Sequence, residues 1–99
     1  MPRELQIPGP VLSDPKAVEI ARVWAAHKGE HVSLNVSLWK DPGSWGIVLA
    51  DLTHHVANAY VQECGMAREH VVARILELMR AELERPTDTP FGQLVPPEQ

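Results

Sequence analysis

Apolar residues recur at three- and four-residue steps from Trp45 to Cys64, WGIVLADLTHHVANAYVQEC, which predicts one long amphipathic helix. Trp45, Val48, Leu49, Leu52, Val56, Ala59 and Tyr60 fall on one stripe, the expected core face. Asp51, His54 and Asn58 gather on the other side, between Ile47 and Val61. Asp41-Pro42-Gly43 supplies a start signal, although Gly43 and Gly46 weaken the first turn and shift the expected start to Ser44 or Trp45. Gly65 ends the helix, and helical spacing resumes at Met66 or Ala67 and runs to about Arg85, where Pro86 stops it. In this next helix Val72, Ile75, Met79 and Leu83 are central, with Val71, Leu76 and Leu78 beside them. A connection this short predicts antiparallel neighbours.

Upstream the period changes. From His31 to Trp39, Val32, Leu34, Val36 and Leu38 alternate with Ser33, Asn35 and Ser37, the pattern of a strand with one buried face. Ser13-Asp14-Pro15 reads as a helix start, and Ala17, Ile20, Ala21, Trp24 and His27 share one side of a helix running to about Lys28, with Gly29 as its left-handed end. Residues 1–12 hold three prolines, which predicts an extended arm without helix; residues 86–99 read as a proline-rich tail that docks Phe91, Leu94 and Val95. The expected fold is therefore α+β, a small antiparallel sheet covered on one face by three helices, in the order extended arm, α, β, α, α. One domain, 1–99, is expected, with its core in 13–85.

Charge narrows the class of partner. The net charge is −4, and residues 41–99 carry four Lys/Arg against nine Asp/Glu. The nine cations stand singly, so neither nucleic acid nor an anionic membrane surface is an expected partner. No secretory leader and no spanning apolar run is visible, and the single cysteine, Cys64, makes no intrachain disulfide; a cytoplasmic protein is expected.

The candidate chemistry sits mainly on the long helix. Asp51 and His55 are i,i+4 neighbours, as are His54 and Asn58, so a carboxylate could orient an imidazole or the group could contribute to a ligand site. Against metal binding, the zincin pattern His-Glu-x-x-His is absent, and adjacent histidines on a helix point ~100° apart. The bland alternative has His55 closing the core stripe and bonded to Asp51. Trp39 and Trp45 bracket the strand-to-helix turn and either floor a pocket or pack on each other. Cys64 lies at a helix C-terminus, where the dipole disfavours a thiolate, so it reads as a small hydrophobe. The polar strand face, Ser33, Asn35 and Ser37, is either solvated or lines a contact. No catalytic residue, metal ligand set or cofactor is assigned.

HVSLNVSLW followed by DPGSWGIVLADLTHHVANAY resembles a family of short, mainly alphaproteobacterial proteins described only as a domain of unknown function (family 5076), over roughly residues 3–85. The resemblance implies a bacterial, stand-alone domain and brings no site residues. The expected function is a non-enzymatic module that self-associates or binds an unidentified protein partner. The alternative is a small-ligand or metal site, hydrolytic where it is catalytic, built on Asp51, His54 and His55. A homodimer is expected because a lone strand at His31–Trp39 needs a ladder partner longer than Leu5–Ile7 or Phe91–Val95 can offer. Its expected contact is that strand or the helix face bearing Ile47 and Val61.

Overall fold

The computed structural model describes residues 1–86, which show two compact units, one of Met1–Leu38 and one beginning at Trp39. The element order is α1 (Gly9–Leu12), β1 (Ala21–Ala26), β2 (Gly29–Leu34), α2 (Gly43–Cys64) and α3 (Arg68–Glu84). The chain is α+β with a small antiparallel sheet and three helices.

In the first unit several local expectations are corrected. The arm is not wholly extended: Gly9–Leu12 closes a single helical turn with Pro10 in its first positions, where the missing N–H would have had no partner anyway. Val11 N–H donates to Pro8 O at 3.0 Å, and Ser13 Oγ donates to Pro10 O at 3.1 Å. The helix expected from Asp14 to Lys28 does not form. Asp14 accepts from Lys16 N–H at 2.9 Å and Ala17 N–H reaches Asp14 O at 3.1 Å, which makes one turn and no more.

Ala21–Ala26 is instead a strand, paired antiparallel with Gly29–Leu34 so that Val23 faces Val32 and Trp24 faces His31. Alternation puts Ala21, Val23, Val32 and Leu34 on one face of this ribbon and Arg22, Trp24, His31 and Ser33 on the other. The expected split between Val32/Leu34 and Ser33 is present, but the strand stops at Leu34 rather than Trp39, after Asn35 N–H adds a last rung to Ile20 O at 2.9 Å. Ser37 Oγ then donates to Asn35 Oδ1 at 2.9 Å, turning the chain.

The ribbon closes through His27 and Lys28, both in the left-handed region at φ 50° and 61°. Two successive positive φ values make a type I′ turn, whose twist suits a two-residue hairpin. Neither residue is the glycine or asparagine that such a turn prefers, so it holds its shape at some conformational cost. β2 thus has a partner within the chain. Leu5–Ile7 forms no strand, and Phe91–Val95 lies outside the described residues, as does the expected docking of Phe91, Leu94 and Val95.

The second unit is a helical hairpin. Asp41 Oδ1 accepts from Gly43 N–H at 2.8 Å at the start of α2, and Gly65, at φ 67°, ends it with its N–H on Val61 O at 3.0 Å. α3 packs on α2 and ends one residue before the expected Arg85. Which face of α2 meets α3 is a further correction. Ala57 is buried on α2 and Val71 on α3, whereas Leu49, Leu52, Val56, Ala59 and Tyr60 of the expected core stripe are exposed and Trp45 and Val48 are half-buried. A small residue lets two helix backbones approach closely, so the contact centres on Ala57 rather than on the bulkiest side chains. On α3, Val72, Ile75 and Met79 are half-buried, while Leu83 is exposed. Among the described residues, no helix is long and apolar enough to cross a membrane.

Candidate functional site

The side of α2 that turns towards α3 carries two of the candidate polar residues. His54 and Asn58, one turn apart, meet Arg68 from the first turn of α3. The Arg68 guanidinium donates from Nε to Asn58 Oδ1 at 3.2 Å and lies 2.7 Å by Nη2 from His54 Nδ1. Arginine has no acceptor, so Nδ1 of His54 accepts this hydrogen bond and the ring's own proton belongs on Nε2. A short bond from a cationic donor is among the stronger kinds. The cluster is partly open to water, with Arg68 half-buried and His54 and Asn58 exposed, so its contribution to stability is about 1 kcal/mol.

Asp51 and His55 are not drawn in. Both are exposed, no hydrogen bond joins them, and His55 does not close a buried stripe. Among the described residues no group of three or more His, Cys, Asp or Glu side chains could hold a metal ion together. Arg68 was not a candidate from sequence. The available signal was its position: a long donor in the first turn after a short αα connection lies alongside the second half of the preceding helix, within reach of Asn58 and His54.

Trp39 and Trp45 pack on each other, edge to face, with ring centroids 5.6 Å apart and planes at 82°. They stand at the entrance to α2, where Ser44 N–H and Trp45 N–H bond back to Asp41 O and Pro42 O. Cys64 is a free thiol and is exposed rather than a buried hydrophobe.

A groove of about 500 Å³ lies in the first unit, between the arm and β1. Arg3, Leu5, Ile7, Val18, Arg22 and Trp24 are among its lining residues, and none of Asp51, His54, His55, Asn58, Trp39 and Trp45 takes part. Arg22 bonds Glu19 Oε2 through Nε at 2.9 Å and pairs with Glu4 Oε2 through Nη1 at 2.9 Å. The hydrogen bond to Glu19, and then the charges of Glu19 and Glu4, push its pKa further above the usual arginine range. Arg22 therefore stays cationic, but its charge is already matched by two carboxylates.

With this geometry in place, the chain can be set beside known proteins. The family model described as "Domain of unknown function (DUF5076)" matches residues 4–87. The chain is also similar to a solved structure from the photosynthetic bacterium Rhodopseudomonas palustrus, described as a "putative pyruvate dehydrogenase". The two share 30% sequence identity with a TM-score of 0.72, over 92% of this chain and 93% of that one. No curated protein gives a significant match.

Proposed function

The chain belongs to the DUF5076 family, and from its own residues we propose that it is a self-associating module that works as a homodimer in the cytoplasm. One observation carries this reading. On α2, Leu49 is 49% exposed, Leu52 54%, Val56 37% and Tyr60 47%, a continuous row of large apolar side chains. Water-facing rows of this kind on a small soluble chain mark association surfaces. The interior cannot offset it, since Ala57 and Val71 are the only apolar residues buried among those described. The free thiol of Cys64 is in keeping with a reducing compartment.

The name printed for the Rhodopseudomonas neighbour describes that protein and is not carried over to this chain. The Arg68, His54 and Asn58 cluster joins α2 to α3 and has a structural use already. Sedimentation equilibrium at micromolar concentration tests the proposal. The expected mass is twice the 11.0 kDa of one chain, and a mass that stays at one chain as concentration rises refutes it.

A further inference from the structure

We propose that α2 pairs with the α2 of a second copy, antiparallel, along a seam made of Trp45, Leu49, Leu52, Val56, Ala59 and Glu63. This rests on the self-associating reading above and names its contact surface. The seam residues step by four, three, four, three and four, the spacing of the a and d positions of a coiled coil, and they run almost the full length of α2. At ~100° per residue the seam lies roughly 120° around the helix from Ala57, so pairing leaves the α3 contact untouched. The face with Ile47 and Val61 lies on the Ala57 side and is not the one used.

The occupant follows from the seam's own symmetry. In an antiparallel pair, Leu52 of each copy sits opposite Val56 of the other, Leu49 opposite Ala59, and Trp45 opposite Glu63. Every seam residue then has a partner, because the six positions are symmetric about residue 54. The whole helix overlaps its copy, about 33 Å at 1.5 Å per residue over 22 residues. A bulky Leu49 meets a small Ala59, and Trp45 lies along the aliphatic stem of Glu63.

Charge decides against the parallel alternative. Parallel pairing would put Glu63 beside Glu63 and align two helix dipoles, whereas the antiparallel arrangement sends the two glutamates to opposite ends and opposes the dipoles. Between Pro42 and Glu63 the sole charged residue is Asp51, which lies off the seam. The surface to be desolvated is therefore free of charge until its last position.

Two measurements test the pairing, both in the full chain with Cys64→Ser. Under mild oxidation a mixture of Leu49→Cys and Ala59→Cys chains should give a disulfide-linked heterodimer, and Leu49→Cys alone should not; the reverse overturns the antiparallel seam. Leu52→Lys with Val56→Lys should leave the helical circular dichroism unchanged, since both positions are exposed, and weaken dimerisation on the order of 100-fold. An undiminished dimer in that variant overturns the seam while leaving self-association standing. A monomeric wild type overturns self-association itself. A monomer destabilised by the two lysines assigns the stripe to another segment of its own chain and also overturns the proposal.

Discussion

Asp14-Pro15-Lys16 and Asp41-Pro42-Gly43 open in the same way and lead to opposite structures. In each, the aspartate Oδ1 accepts from the N–H two residues on, Lys16 at 2.9 Å and Gly43 at 2.8 Å. In each, the aspartate C=O accepts from the N–H three residues on, Ala17 and Ser44, both at 3.1 Å. From the second turn a helix of 22 residues propagates; from the first, the chain enters β1 four residues after Ala17. The difference teaches that an Asp-Pro signal fixes one turn and leaves the rest to what the following segment can pack against.

The following segments are unequal. Lys16 to Lys28 is thirteen residues, within the range of ~12–15 below which an isolated helix is marginal in water. Val23 and Trp24, branched and aromatic, suit a pleated ribbon at least as well, and Gly29–Leu34 stands ready to pair with them. After Asp41 the helix has α3 to pack on, joined to it by Arg68 and closed around Ala57 and Val71.

The largest expected effect breaks that contrast at its cause. Ser33→Pro places a residue without an N–H opposite Arg22, one pair in from the open end of the ribbon, and should cost about 3 kcal/mol of the first unit's stability. Backbone chemical shifts of residues 21–26 should lose their strand character while those of α2 keep theirs. Persistence of the strand shifts would mean that β1 does not depend on β2.

A smaller change sharpens the comparison from the other direction. His27→Asn with Lys28→Gly supplies the pair that a type I′ turn prefers and relieves two positive φ values, so the double variant should gain about 1 kcal/mol. Urea unfolding followed by tryptophan fluorescence measures it. An unchanged or lowered midpoint would show that the observed turn stores no relievable strain.

The smallest effect compares the two starts themselves. Asp41→Ala removes an acceptor at the head of a packed helix and should cost about 1 kcal/mol. Asp14→Ala removes the same bond from an exposed turn that leads nowhere helical, and should stay within about 0.5 kcal/mol. Thermal unfolding of the two variants side by side gives the answer, and equal losses would remove the distinction drawn between the turns.

What the sequence determined by itself is the set of features that depend on backbone rules within a few residues. The limits of α2 and α3 were legible because glycine at Gly65 reaches a left-handed conformation readily and Pro86 cannot continue a helix. The alternation of Val32, Ser33 and Leu34 and the pairing of His54 with Asn58 on one side of α2 were legible for the same reason, since periodicity alone places them. The tertiary structure decided the rest. Ala21–Ala26 reads as helix until the ladder to β2 is counted, and that ladder is a contact between segments whose separate propensities say little. Apolar bulk pointed to Leu49, Leu52 and Val56 as the inner stripe, yet α3 settles over Ala57, because close approach of two backbones is favoured by a small side chain and not by a large one. Arg68 joins His54 and Asn58 only once the hairpin has folded, which is why two residues of that cluster stood out in the sequence and the one that binds them did not.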